Sequence, residues 1–267
     1  MYTLLFQEMT DMASYRIMSC NVRTQTPGDG EQQFFNRVDF LCETLIKSAP
    51  DVIGFQEVTH IMRKELISRL PGYGLLGASR GKDRLGEASI IAYRLDKFMP
   101  ERLISDLLSF EPHKPGSRFG GDQSGCPRIF SSVDLMPIEG GQPFRVMNIH
   151  TDHIGVNARF LEVEQMLRSF ADQQVTRPMP TVFTGDFNAL PDAPEMKLMS
   201  SYPDLRDITA HLPGTFHNFG RCEPYKIDYI FATPQWREIQ VIALRDKKDH
   251  LFLSDHDLIL ADLELEA

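Results

Sequence analysis

The stretch Thr181-Val-Phe-Thr-Gly-Asp-Phe-Asn188 decides the fold class, because an apolar, β-branched run stops abruptly on a carboxylate and an amide. Such runs make buried strands, and residues two apart in an extended segment point the same way, so Asp186 and Asn188 leave the strand end together. Working outward, the same pattern recurs at 15–21, 51–57, 88–94, 144–150, 227–233, 238–244 and 258–263. Between these lie helical periodicities. Phe34, Val38, Leu41 and Leu45 share one face of a helix ending near Pro50. A second helix runs through Ala158 and Arg168, with Phe160, Val163, Met166, Leu167 and Phe170 on its apolar face, and a shorter third covers 59–70 before Pro71-Gly72. Ile138-Glu-Gly-Gly-Gln-Pro143 reads as a hairpin loop, so at least one strand pair is antiparallel. Layered α and β structure follows.

Composition narrows the partners. The chain has 267 residues, 42% hydrophobic and 24% charged, which excludes disorder as the main theme. No apolar run approaches the roughly 20 residues a bilayer crossing needs. Lys and Arg number 28 against 37 Asp and Glu, a net charge of −9. Such a chain repels polyanions at long range, so a phosphate contact needs a local cationic spot or a bound metal. Cys20, Cys42, Cys126 and Cys222 form no metal-type pair and are expected as reduced core residues. Residues 1–13 lack the basic start and long apolar stretch of a signal peptide. The expectation is a cytoplasmic protein with a loosely held extension over 1–13 and a single domain over 14–267. Residues 112–127, with three prolines and four glycines, form a long surface loop inside that domain.

Strand candidates repeatedly finish on groups that can do chemistry: Asn21, Glu57, His150, Asp186 with Asn188, Asp228, and Asp255 with His256. Asn or Asp after a strand is more often a turn residue bonding its own backbone. Six such sites at the ends of strands weaken that reading, because strand ends gather at one rim of a sheet, where ligands bind.

Seven blocks then carry a specific resemblance: Ser19-Cys-Asn-Val22, Gly54-Phe-Gln-Glu57, Gly86-Glu87, Asn148-Ile-His150, Thr184-Gly-Asp-Phe-Asn188, Ile227-Asp-Tyr-Ile-Phe231 and Ser254-Asp-His256. In their order and span, the chain resembles the endonuclease/exonuclease/phosphatase superfamily, whose fold is that of DNase I. The resemblance implies an α+β fold, a four-layer α/β/β/α sandwich with two mixed sheets face to face and helices outside. It implies a phosphoesterase that hydrolyses a phosphate ester or phosphodiester by in-line attack of an activated water. Glu57 would be the principal oxygen ligand of Mg²⁺, with Asn21 and Asp255 as nearby donors and Mn²⁺ as the alternative ion; oxygen-only ligands favour these over zinc. Asp186 would orient or deprotonate the water and Asn188 hold a phosphoryl oxygen. His256, aimed by Asp228, would donate a proton or hydrogen bond, and His150 would be the second imidazole, oriented by Glu87.

Within the superfamily the block from His150 to Arg159 is similar to small bacterial members near the deadenylase-like branch, although Ala88 and Ser89 are smaller than the residues of that branch. On this likeness Arg80, Arg159, His153 and His217 are expected substrate contacts, Arg being suited to bidentate phosphate binding. Three alternatives stand beside this reading: a nuclease acting on RNA or DNA with the same site, a non-enzymatic member that binds a phosphate ligand, and a zinc hydrolase built on His150, Asp152 and His153. The net charge tilts the expectation towards a compact phosphate ester or a short nucleic-acid end. The oligomeric state is not legible from one chain.

Overall fold

A computed structural model describes residues 12–265. Residues 1–11 of the expected extension lie outside the described residues, and Ala13 already belongs to the first strand. The chain order is β1 (Ala13–Asn21), α1 (Phe34–Ser48), β2 (Val52–Val58), α2 (His60–Arg69), β3 (Tyr73–Leu76), β4 (Ala88–Arg94), β5 (Phe98–Leu107), β6 (Ile129–Pro137), β7 (Phe144–His150), α3 (Val156–Thr176), β8 (Thr181–Asp186), α4 (Pro194–Ser201), β9 (Arg206–Asp207), β10 (Asp228–Ala232), β11 (Trp236–Leu244), β12 (Lys247–Lys248), β13 (Leu251–Phe252) and β14 (Leu258–Leu265).

Two six-stranded mixed sheets result, one ordered β11-β14-β1-β2-β4-β3 and the other β5-β6-β7-β8-β10-β9. Three apolar clusters make the layers. Tyr15, Ile17, Val52, Phe144, Ile230 and Trp236 fill the space between the sheets; Val38, Leu41, Leu45 and Leu66 cover the first sheet from α1 and α2; Val163, Met166, Phe170 and Met199 cover the second from α3 and α4. The expected four-layer sandwich is therefore present. Phe144 meets Trp236 edge-on at 5.2 Å between centroids, one of several aromatic pairs worth about 0.5–1.5 kcal/mol each beyond their burial. Thr59 caps α2 by accepting the Met62 N–H, as a threonine before a helix should. Among the described residues no helix is long and apolar enough to cross a membrane.

Each sheet has one parallel pair at its centre, β1 with β2 and β7 with β8. The carboxyl ends of these four strands carry Asn21, Glu57, His150 and Asp186, and His150 pairs in register with Asp186. β10 runs antiparallel to β8 with Asp228 opposite Asp186, and β14 runs antiparallel to β1, so the Asp255-His256 pair that precedes it arrives at the same rim. A buried polar junction fixes how the sheets meet. Asn148 accepts from Gln56 Nε2 at 2.7 Å and Thr184 Oγ1 at 3.1 Å, and donates through Nδ2 to the Phe55 and Ile90 carbonyls at 2.8 and 3.0 Å. Gly54 is required there: a Cβ would sit 2.0 Å from Thr184 Oγ1.

Two expectations change. Only Cys20 and Cys42 are buried, whereas Cys126 is half-buried and Cys222 exposed. Phe160 stands on the solvent side of α3.

Candidate active site

Asp186 Oδ2 is the focal atom of the rim. Asn21 Nδ2 donates to it at 2.9 Å, and Nε2 of His150 and Nε2 of His256 approach it to 3.6 and 3.8 Å. The same Asn21 amide donates to Glu57 Oε1 at 3.1 Å, while Thr24 N–H donates to Glu57 Oε2 at 2.7 Å. Glu57 reaches this position at a break in the β2–β4 pairing and adopts φ +65°, a left-handed conformation that costs a non-glycine residue about 1–2 kcal/mol. Backbone strain of this kind persists where the surroundings over-determine it, and it collects at functional sites.

Asn188 also lines the cleft, by a route the extended-strand argument did not anticipate. β8 ends at Asp186; Asn188 then takes φ +47° and its N–H donates to Asp186 Oδ1 at 2.9 Å, while Nδ2 donates to the Thr151 carbonyl at 3.1 Å. The Asx turn and the cleft position coexist.

Electrostatics separate the two rim histidines. Burial opposes charge on His256, but Asp228 Oδ2, 2.9 Å from Nδ1, together with Asp255 and Asp186, outweighs it and holds the ring well above the ordinary imidazole value. Burial and the cations Arg128 and Arg80 push His150 well below that value. Burial and the neighbouring Asp228 raise Asp186 to about 7, and burial raises Asp255. Glu57 goes the other way: burial opposes its charge, and the Thr24 N–H, His256, Arg23 and Asn21 more than compensate. Buried carboxylates pressed together in this way leave negative charge that a cation would relieve. Ligand atoms of Glu57, His150 and Asp186 lie within 4.8 Å of one another, as do those of Asp186, Asp228 and His256. The donors are carboxylate oxygens and imidazole nitrogens.

The cleft has a volume of about 440 Å³. Of the residues expected from sequence, Glu57, Glu87, Arg80, His150, His153, Asp186, Asn188, Asp255 and His256 line it, with Asn21 and Asp228 directly behind through their hydrogen bonds. Three placements differ from expectation. Glu87 pairs with Arg80, Nη2 to Oε2 at 2.7 Å, rather than with His150, whose recorded partners are Arg128 and Asp186. Arg159 is buried against Glu195 on α4 and the Asp152 carbonyl, and does not face the cleft. His217 is likewise buried: Nδ1 accepts the Gly220 N–H and Nε2 lies 3.4 Å from Asp257. The zinc triple does not form, because Asp152 turns away to accept from the backbone of Ser124, Ile154 and Gly155, and joins neither group of converging ligand atoms among the described residues.

Sequence reasoning missed Arg128, Arg23, Phe216 and Tyr225, all on the cleft wall. Arg128 directly precedes β6, a strand too polar to read as one, so no signal drew the eye to it. Phe216 packs edge-on against His256 at 4.9 Å and tilted against Tyr225 at 5.1 Å.

The model of the endonuclease/exonuclease/phosphatase family matches residues 18–256, and the chain belongs to that family. The chain is a hydrolase of phosphoester bonds by the same membership. Among solved structures, a family member from Bacteroides vulgatus is 29% identical with a TM-score of 0.88, covering 95% of this chain and 100% of its own. The mannosyl-6-phosphatase of Bacteroides thetaiotaomicron is 25% identical with a TM-score of 0.83, covering 93% and 99%. The catalytic domain of human Nocturnin, 17% identical with a TM-score of 0.76 over 96% and 97%, shares the fold. No curated protein matches the chain.

Proposed function

We propose that the protein is a Mg²⁺-dependent phosphoesterase that hydrolyses a small phosphate ester, or a short nucleic-acid end, by in-line attack of water. The observation that carries this is the convergence of two imidazoles, through Nε2 of His150 and Nε2 of His256, on one carboxylate oxygen, Asp186 Oδ2, beside Glu57.

Glu57 would hold the ion, with Asp255 as a further oxygen donor; Asn21 would join them only by turning towards Glu57 its Oδ1, which accepts the Arg23 N–H at 2.9 Å, and carboxylate-rich sets of this kind suit Mg²⁺, with Mn²⁺ as a substitute. When bound, the ion supplies positive charge for the phosphoryl oxygens. The rest falls to the chain itself. Asp186 Oδ2 takes the proton of the attacking water and aims its lone pair at phosphorus. Asn188 offers its amide to a phosphoryl oxygen without adding charge, and its left-handed turn holds that amide at the rim. His256, kept protonated by Asp228, donates to the oxygen on which charge develops. Arg80 and His153 stand on the wall as contacts for the remainder of the substrate.

A cleft of about 440 Å³ suits a compact ester more than a long duplex. The mannosyl-6-phosphatase likeness points the same way. The exposed Tyr225 and the adjoining Phe216 favour, as a second reading, a substrate with a planar base, because aromatic faces stack on bases.

The test is a panel of sugar phosphates, other phosphomonoesters, diesters, short RNA and short DNA, each with Mg²⁺ or Mn²⁺, run beside Glu57→Gln. Metal-dependent phosphate or nucleotide release that Glu57→Gln abolishes is expected. Equal release by parent and variant would refute the assignment.

A further inference from the structure

On the cleft wall, one guanidinium touches two imidazoles. Arg128, only 3% exposed, places Nη1 3.0 Å from His150 Nε2 and Nη2 2.8 Å from His153 Nδ1. Its remaining nitrogen, Nε, has no hydrogen-bond partner and lies 3.7 Å from Asp152 Oδ2. Asp152 is itself immobilised, its Oδ1 accepting from the Ser124, Ile154 and Gly155 N–H groups at 3.1, 3.0 and 2.8 Å and its Oδ2 accepting from Ser124 Oγ. The fork is therefore anchored on one side and committed to the two rings on the other.

A guanidinium has five N–H donors, no acceptor, and does not lose its proton in proteins. Each ring nitrogen it meets must present a lone pair. The histidines meet it through different nitrogens, so the consequence is opposite for the two rings. Neutral His150 carries its proton on Nδ1 and keeps Nε2 bare; neutral His153 carries its proton on Nε2 and keeps Nδ1 bare. We propose that Arg128 is a positioning residue that fixes His150 and His153 in opposite tautomers, so that His150 Nε2, its one lone pair held by Arg128, presents no proton to Asp186.

This rests on the phosphoesterase reading for its catalytic meaning, but not for its geometry. His150 Nε2 and His256 Nε2 flank the same Asp186 Oδ2. Two interchangeable donors there would let the proton return to either ring. With the His150 Nε2 lone pair already engaged by a fixed cation, only the His256 ring is left to exchange a proton at Asp186. His153, on the cleft wall, is left with a neutral N–H to offer a substrate oxygen. The low affinity of His150 for a proton, caused by burial and by the Arg128 and Arg80 charges, agrees with the same arrangement.

The experiment is ¹⁵N NMR of the full chain labelled at histidine, at neutral pH, with the signals assigned by H150Q and H153Q. Bare and protonated ring nitrogens are separated by their shifts, so each tautomer is read directly. The expected result in the parent protein is a proton on Nδ1 of His150 and on Nε2 of His153. Arg128→Lys, a point charge that cannot fork onto two rings, and Arg128→Met are expected to release at least the His150 pattern towards a mixture. In hydrolysis, both variants are expected to lose about 10²-fold in kcat, the scale of misplacing a reacting group, with a much smaller rise in KM that reflects only the loosened His153 contact.

A proton on His150 Nε2 in the parent protein would overturn the proposal, as would ring patterns unmoved in both variants. A large rise in KM with kcat intact would overturn it too, assigning Arg128 to substrate holding. Should Arg128→Met fail to fold, the tautomers of the parent still decide. Opposite tautomers in a protein that hydrolyses no phosphate ester would leave the clamp standing and remove the phosphoesterase reading alone.

Discussion

β7, β8 and β10 have a cavity at each end, and the two differ in kind. At the end where β7 and β8 begin lies the larger, about 840 Å³, lined by Phe170, Gln174, Met179, Tyr202 and Thr233, with Asp204 the one charged residue on its wall among the described residues. At the other end lies the smaller, about 440 Å³, where Glu57, Asp186, Asp255, His150 and His256 meet. Volume follows from how loops and helix ends happen to leave the sheet; chemistry follows from which residues terminate the strands. Among the described residues, the larger cavity has room without converging carboxylates or imidazoles, and the smaller has that convergence in about half the room. A pocket becomes a candidate active site through the second property.

The comparison is broken most severely by changes at the polar end. His256→Ala is expected to lower kcat by about 10²–10⁴-fold, the range for removing a positioned acid or base, with far-ultraviolet circular dichroism and Tm close to the parent's. Asp228→Asn should do less: it leaves the ring in place but removes the main partner of its charge, so the basic limb of the kcat profile should move to lower pH. A parent-like profile in Asp228→Asn would separate His256 from the proton-donor role.

Next in size is the junction that holds the sheets in register. Asn148→Ala strands the Gln56 and Thr184 donors and the Phe55 and Ile90 carbonyls, at about 1–3 kcal/mol for each buried group left unpaired. A fall in Tm of several degrees is expected, read by calorimetry. Unchanged stability would mean the sheets do not depend on this contact.

A smaller, pH-dependent effect comes from Glu162 on α3. Burial, opposed by the Asp152 N–H, lifts its carboxyl from near 4.5 to about 8. The folded chain then holds a proton that the unfolded chain has lost between those values, so stability falls as pH rises through that window. Glu162→Gln should flatten that part of a Tm-against-pH curve; an unaltered slope would place the dependence elsewhere. Smallest of all is Tyr202→Ala in the large apolar cavity, expected to leave kcat within about twofold because no reacting group is displaced. A large loss there would erase the distinction between the two ends.

Much of this was legible in the sequence, for a physical reason. Strands buried on both faces must be apolar and β-branched, so β1, β2, β4, β7, β8, β10 and β14 announce themselves; the edge strand β11, mostly exposed, shows through the apolar Val241, Ile242 and Leu244, and the amphipathic faces of α1 and α3 do the same. β5 did not. It is an edge strand, largely exposed through Met99–Leu103, and carries Pro100, Glu101 and Arg102. β6 was hidden for the opposite reason: it is buried, but Ser131, Ser132 and Asp134 satisfy their polarity through Ser89, Ser105, Gln173 and Arg145, partners remote in sequence. The same remoteness explains the misassigned contacts. Arg159 and His217 look like free cations and imidazoles along the chain, yet Glu195 and Asp257 claim them in space. Glu87 was expected to serve His150, but Arg80 lies nearer and Arg128 has taken the ring. Single strand ends could be read one by one; which carboxylate pairs with which cation could not.

The central claim is that Asp186 receives the proton of an attacking water beside a divalent ion. Its most direct test is steady-state hydrolysis by the parent and by Asp186→Asn, across a Mg²⁺ titration, on the best substrate the panel reveals. Mg²⁺-dependent turnover is expected in the parent, and a loss of about 10²–10⁴-fold in the variant at every Mg²⁺ concentration, with the fold intact. Turnover of Asp186→Asn equal to the parent's at saturating Mg²⁺ would contradict it.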